Sequence, residues 1–284
     1  MDSVVAGFDL TSVGRRVVDR ARIVAEAGNS AIELVHVLES LQDAMIPDSL
    51  TNLVDDHRHR VAKEVEEWVR GRTDQPVSME VVRGSASWEL VRRSKQADLT
   101  VVGSSSVDAG RTGPVATAVA RMAADDVLIV RRQPRVPYRK IVAAVDFSEA
   151  SKSAVGAALR RFPGADVTAM FALPSRFDSL LSEAGLFEEE ISASRSERLE
   201  RAEMRMEAFV ENWPGRVRPL VVDGPPQETI DEMVRRRGAD LVSVASRGAG
   251  ATRMVLLGSV AEAVTDEVPC DVFVARVPAP FRRP

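Results

Sequence analysis

The chain has 284 residues, room for one large or two ordinary domains, and 45% of them are hydrophobic, enough for buried cores rather than a disordered chain. Lys plus Arg number 38 against 42 Asp plus Glu, a net charge of -4 that lacks the basic surplus of a general nucleic-acid binder. One cysteine excludes an intramolecular disulfide framework and a cysteine-rich zinc site, and points to a reducing, cytoplasmic setting. The N-terminus carries no basic region followed by an apolar stretch, so no signal peptide is expected. No apolar run reaches about 18 residues, so no membrane span is expected. In chain order, Ser3 to Asp9 reads as a short apolar strand ending in an acid. Ser12 to Ala27 reads as a helix with Val13, Val17, Ala21 and Val24 on one buried face, stopped by Gly28-Asn29. Ala31 to Val37 is a second strand, Asp55 to Arg70 an amphipathic helix, and Val77 to Arg83 a third strand ended by Gly84. Trp88 to Lys95 is a shorter helix, Asp98 to Gly103 a strand, Val115 to Ala124 a helix and Val127 to Val130 a fifth strand.

Gln133-Pro-Arg-Val-Pro-Tyr138, with two prolines, then reads as a linker. The pattern restarts after it. Lys140 to Asp146 copies the first strand, and Glu149 to Arg161 the first helix, with Ser148 as its N-cap. Asp166 to Ala172 copies the second strand, Glu188 to Asn212 is a long charged helix, and Arg216 to Val222 copies the third strand, Gly224 matching Gly84. Thr229 to Arg237 is a helix, and Asp240 to Ala245 is a strand apolar enough to be buried. Duplication at this length predicts two similar domains, residues 1–133 and 138–284, rather than a short-repeat solenoid. Strands alternating with helices predict parallel α/β sheets covered on both faces.

The stretch after Ala245 carries the chemistry. A strand, a glycine-bearing loop and Gly258-Ser259 at the start of a helix make an anion site, because free backbone N–H groups and the helix dipole both favour negative charge there. The competing reading is a capping box, since Ser259 and Glu262 fit S-x-x-E. Ala245-x2-Gly248-x9-Gly258-Ser259 resembles the G-x2-G-x9-G-(S/T) nucleotide loop of the universal stress protein family, with Ala245 replacing the usual glycine. The following Ser-Val-Ala-Glu-Ala-Val and the strand from Cys270 to Arg276 resemble that family too, and the pattern occurs twice along nearly the whole chain. The resemblance implies two tandem Rossmann-like domains of the adenine nucleotide alpha hydrolase-like kind, each a five-stranded parallel sheet of order 3-2-1-4-5 with helices on both faces. That order puts a switch point between the first and fourth strands, and ligands sit at the carboxyl ends of strands at such a point.

The resemblance assigns roles residue by residue in the second copy. Ala144, Val145 and Asp146 match the adenosine side, and Ala172 matches a position that contacts adenine. Val244, Ala245, Ser246, Arg247 and Gly248 match the wall and floor of the loop, and Gly258, Ser259, Val260 and Ala261 the phosphate-holding helix start. Gly248 and Gly258 let backbone approach a phosphate without a Cβ, Ser259 offers a hydroxyl, and Arg247 a cationic partner. The methyl of Ala245 puts nucleotide affinity in question. In the first copy Gly103 and Gly113 pair with Ala245 and Gly258, but Ser106 stands for Gly248 and Pro114 for Ser259. Proline suits a first helical turn yet removes an N–H and a hydroxyl, so the first copy reads as a degraded nucleotide site.

Other residues read as structural. His36, within an apolar strand, fits a core or strand-end role, His57 and His59 do not share a helix face, and Cys270 fits a small buried residue. The second copy has no histidine, so histidine-based catalysis is excluded there. The resemblance then implies a stress-response regulatory protein that binds ATP or another adenine nucleotide, with Mg2+ where a polyphosphate needs it, mainly in the second domain, and shows an altered surface to an unidentified protein partner. A slow ATPase or phosphate-transfer enzyme in the same crevice and a nucleotide-free partner-binding protein remain as alternatives; beyond Asp146 there is no convincing general base or Mg2+ set. The resemblance further implies pairing of the two fifth strands, an intramolecular pseudo-dimer, with homodimer formation through another face left open. Apolar edges such as Val127–Arg131 and Val272–Arg276 call for cover. Hydrogen exchange tests this expectation: amides along both fifth strands should be strongly protected, and rapid exchange along both, with the rest of each sheet protected, would rule the pairing out.

Overall fold

The apolar runs pair as parallel ladders in a computed structural model that describes residues 3–38, 56, 59–60, 63–68, 72–104, 112–174, 181, 183–185, 187–246 and 257–276. The chain divides into two compact units, Met1–Pro137 and Tyr138–Pro284. The first contains β1 (Ser3–Gly7), α1 (Ser12–Gly28), β2 (Ala31–Leu38), β3 (Val77–Arg83), α2 (Ala86–Arg93), β4 (Leu99–Gly103), α3 (Pro114–Met122) and β5 (Asp126–Val130). The second contains β6 (Lys140–Ala144), α4 (Glu149–Arg161), β7 (Asp166–Leu173), α5 (Glu188–Val210), β8 (Val217–Asp223), α6 (Pro226–Arg237), β9 (Leu241–Ala245), α7 (Ser259–Glu267) and β10 (Asp271–Ala275). Strand order is β3-β2-β1-β4-β5 in the first unit and β8-β7-β6-β9-β10 in the second. Of the helix expected from Asp55 to Arg70, residues 56, 59–60 and 63–68 are described and are helical; His57 lies outside the described residues.

The reversal of direction after the first strand sends helices to both faces, because parallel crossovers are right-handed. Two glycines demonstrate this. Gly7 of β1 lies opposite Val102 of β4, so Gly103 points to the other face. A Cβ on Gly7 would stand 2.5 Å from Leu90 Cδ1 of α2, and one on Gly103 would stand 2.5 Å from Val13 Cγ1 of α1. The central strands are buried on both faces: Val4, Ala6, Leu99, Val101, Leu128 and Ile129 in one core, Ile141, Met170, Leu241, Val272 and Phe273 in the other.

The duplication extends to backbone geometry. Gly84 and Gly224 end their strands at φ 137 and 134, a region that only glycine enters readily. Each donates its N–H to the end of the neighbouring strand, Gly84 to the Leu38 carbonyl at 3.1 Å and Gly224 to the Leu173 carbonyl at 3.0 Å. Boundaries shift where the local chemistry dictates. The left-handed residue that stops α1 is Asn29 (φ 51), while Gly28 is still helical. Helix α6 begins at Pro226, ahead of the expected Thr229, since a first-turn proline gives up an N–H that has no partner anyway. No helix among the described residues is long and apolar enough to cross a membrane.

The linker is held rather than loose. Helix α1 binds it through Arg20 to the Val136 carbonyl at 3.0 Å, and the Gln133 amide reaches Asp19 at 3.1 Å; Arg16 holds the residue after β5 at the Arg131 carbonyl, 2.9 Å away. The second unit starts on Tyr138, which is buried, donates its hydroxyl to Asp271 and meets Phe162 edge-on at 5.1 Å.

One face of the first unit departs from its duplicate. Arg93, with 9% side-chain exposure, ion-pairs with Glu33, Glu80 and Glu89. Burial lowers its pKa from the usual guanidinium value. By register, the second unit has Thr168, Leu220, Thr229 and Met233 at these four positions. The same frame therefore accepts either a charged network or four uncharged residues. Arg93→Ala should destabilise the first unit by about 1–2 kcal/mol in urea, because the buried Glu89 loses one of its two arginine partners and keeps Arg92, while Glu80 keeps access to water. Installing the second unit's four residues together should leave stability within about 1–2 kcal/mol, as buried ion pairs exchanged for packed apolar groups often do. An Arg93→Ala midpoint equal to wild type would show that the network adds nothing.

Candidate functional site

A crevice opens where the sheet of the second unit reverses direction. β6 continues along β7 as far as Ala144 opposite Met170, and β9 continues along β10 as far as Ala245 opposite Ala275. The ladder between β6 and β9 ends sooner, at Ala143 opposite Ser243. Beyond that pair the two chains leave the sheet for α4 and α7. A gap at the carboxyl end of the central strands follows from the topology. The first unit runs one pair further, to Gly7 opposite Val102, so the second crevice starts deeper.

One wall is the start of α7. Gly258 is its N-cap, with φ -64 and ψ 153, and no side chain caps the helix. The Gly258 N–H donates to the Ser246 carbonyl at 3.3 Å, tying the end of the loop back to the end of β9. Ser246 is buried and donates its own N–H to the Ala275 carbonyl at 2.9 Å. The capping box read from Ser259 and Glu262 does not form: Ser259 is the first helical residue, one place too late to cap, and the Glu262 N–H makes the ordinary helical bond to the Gly258 carbonyl at 2.8 Å. The amides of Ser259, Val260 and Ala261 meet no acceptor among the described residues. Arg247 and Gly248, and Ser106 in the first unit, lie outside the described residues.

The other wall is the end of β6. Val145 is buried and donates to the Met170 carbonyl at 2.9 Å, which places Asp146 just past the strand. Asp146 Oδ1 accepts from the Ser148 N–H at 3.0 Å and from the Ser148 hydroxyl. Ser148 caps α4, accepting from the Ser151 N–H at 3.2 Å. Asp9 does the same in the first unit, accepting from the Thr11 N–H at 3.0 Å and the Gly14 N–H at 3.1 Å. An acid at this strand end therefore braces a turn in both units, and its presence alone does not distinguish them. Ala172 is buried near the end of β7, the strand outside β6. The expected residues that fall within the described chain thus gather on three adjacent strand ends and one helix start.

The first unit has the same frame with fewer donors. Gly113 caps α3 and Pro114 is its first residue, so that helix start lacks one N–H. His36 is 8% exposed, its Nδ1 lies 3.0 Å from the Phe8 carbonyl and its ring packs on Phe8 at 5.4 Å, which makes it a strand-end core residue. Cys270 is fully buried. One residue of the site was not singled out from sequence: Phe147, next to Asp146, has φ 63. Nothing in its identity marks a left-handed backbone; only the two strand-to-helix loops laid side by side would have drawn attention to it.

A sequence model described as the Universal stress protein family matches residues 1–131 and 137–276. Universal stress protein Rv2623 of Mycobacterium tuberculosis is 29% identical over 292 residues, covering 96% of this chain and 96% of its own. Universal stress protein MJ0531 of Methanocaldococcus jannaschii is 32% identical over 146 residues, 50% of this chain and 84% of that one. The crystal structure of a universal stress protein from Archaeoglobus fulgidus superposes with a TM-score of 0.69 at 18% identity, covering 97% of this chain and 96% of that one. That likeness concerns the fold.

The methyl of Ala245 has a packing explanation. At the matching Gly103 a Cβ would meet Val13 at 2.5 Å and Val17 at 3.2 Å. The positions of Val13 and Val17 are taken in α4 by Ala150 and Ala154, which open room on the helix side of the sheet. Ala150→Val should therefore destabilise the second unit by about 1–3 kcal/mol through overpacking. Adding Ala245→Gly should recover most of that loss, and a double-mutant cycle on unfolding midpoints reads the coupling. Strict additivity would mean that the methyl points elsewhere, toward the ligand side.

Proposed function

The chain belongs to the universal stress protein family, and from that premise we propose that its second unit is an adenine-nucleotide binding module, with ATP as the ligand, held in the crevice between β6 and β9. The observation that supports this most is the uncapped start of α7. Three successive amides that meet no acceptor among the described residues, preceded by a glycine, sit at the positive end of the helix dipole. A polyphosphate supplies the acceptors and the charge this arrangement lacks, and the exposed Ser259 hydroxyl adds a donor. The nucleoside then lies toward Ala144, Val145 and Asp146, with Ala172 at its far side. Arg247 and Gly248 belong to the loop over the phosphates in this reading, and Mg2+ would be held largely by phosphate oxygens and waters. The occupied crevice alters the surface around α7 that a protein partner meets. Binding is asymmetric, because the matching helix start in the first unit has Pro114 where a donor is needed.

Mass spectrometry of freshly purified, denatured protein should release an adenine nucleotide. Titration calorimetry on the full chain should give one site per chain. Ser259→Pro should weaken that site about ten- to a hundredfold, the loss of a charge-assisted bond worth about 1.5–3 kcal/mol. The fold should survive, since Gly258 already has the extended backbone that a following proline requires. Two equal sites, or unchanged affinity with an unchanged circular dichroism spectrum, would overturn the assignment.

A further inference from the structure

The loops that leave the first strand of each unit share a hydrogen-bonded frame, and of the residues that differ between them two bear on the backbone. Asp9-Leu-Thr-Ser-Val-Gly14 stands against Asp146-Phe-Ser-Glu-Ala-Ser151. In the first unit α1 comes so close to the strand end that a Cβ on Gly14 would lie 1.8 Å from the Asp9 carbonyl oxygen. No side chain tolerates that approach. The second unit has Ser151 at this place, and Ser151 is not displaced from the loop: its hydroxyl donates to the Ser148 carbonyl at 2.9 Å and accepts from the Asp146 N–H at 3.4 Å. The Asp146 carbonyl therefore cannot take the direction of the Asp9 carbonyl. The backbone registers the difference at the next residue. Phe147 has φ 63, whereas Leu10 does not have a positive φ. A peptide plane turned over moves the following residue across to positive φ, as between turn types I and II. A phenylalanine resists that conformation. Its ring is correspondingly held: Phe171 lies at 4.5 Å, Phe209 at 6.0 Å, and the Arg205 guanidinium 4.5 Å above the ring.

We propose that Ser151 turns the Asp146–Phe147 peptide over relative to Asp9–Leu10, and that Ser151 and Phe147 are positioning residues for the crevice of the second unit. The Asp146 carbonyl, turned off the helix, becomes an acceptor for a donor of the nucleoside, its 6-amino group or a ribose hydroxyl. This inference rests on the adenine-nucleotide reading above. It explains why the left-handed phenylalanine occurs in the unit whose helix start keeps its donors and is absent from the other.

The test is a substitution series in the full chain, read by ATP titration and by the backbone NMR shifts of residue 147. Ser151→Ala keeps the blocking Cβ and should leave both readouts near wild type. Ser151→Gly removes the block: the residue 147 shifts should move to values of negative φ, and affinity should fall about tenfold, the loss of one hydrogen bond. Inosine triphosphate and the 2′- and 3′-deoxy forms of ATP identify the donor, since the analogue that lacks it should bind wild type and Ser151→Gly equally. Unchanged shifts and affinity in Ser151→Gly would overturn the inference, as would an equal loss in Ser151→Ala, which would assign the effect to the hydroxyl. A wild-type chain that takes up no ATP would instead remove the nucleotide reading, while the shift comparison would still decide the peptide orientation.

Discussion

The structure depends most on a property of parallel sheets: two neighbouring strands whose chains leave toward opposite faces part at their carboxyl ends. β6 and β9 are such neighbours. Their ladder stops at Ala143 and Ser243, although each continues to pair on its outer side. Backbone groups stand at this gap, because the chain is turning away from the sheet there. The start of α7 adds to the gap three amides that meet no acceptor among the described residues. A helix start beside the parting of two parallel strands is where an α/β unit brings backbone donors to an opening in its sheet.

The duplicated architecture acts as an internal control on what each residue does. Gly84 and Gly224 hold nearly the same φ and make the same bond, so both answer a backbone need. Gly103 answers a packing need imposed by Val13, and α4 removes that need with Ala150. A glycine at a strand end beside a ligand crevice is thus no proof of ligand contact. The acid at the strand end teaches the same lesson, since Asp9 and Asp146 brace equivalent turns. What separates the units is the peptide after that acid and the first residue of the last helix, Pro114 in one and Ser259 in the other.

Much of this was legible in the residues. Strands such as Val127 to Val130 are apolar on both faces, and only a sheet covered twice requires that. The Gly-Ser helix start and its proline counterpart were visible because glycine and proline carry their backbone consequences with them. Other features left no such mark. Asn29 rather than Gly28 takes the left-handed turn, since asparagine also tolerates it and the helix had residues to spare. Ser259 and Glu262 have the spacing of a capping box, but a box depends on which residue is the cap, and that is set by how the loop returns to Ser246. Phe147 was silent because its conformation is imposed by Ser151, through a steric conflict that exists only when helix and strand end are already packed.

A site built from backbone has a particular vulnerability. Exchanging the exposed side chain of Ser259 for another leaves the amides in place, so such changes should be felt weakly. Changes that remove an N–H or add a Cβ act on the donors themselves, and they matter even where the side chain touches nothing. The first unit shows the point at Pro114: a single residue type, well suited to a helix start, keeps the fold and takes away a donor. The second shows the complementary case, where a Cβ at Ser151 reaches the crevice through the direction of a neighbouring peptide. In this architecture the ligand-facing character of a unit is decided less by which groups line the crevice than by which backbone conformations the surrounding side chains permit.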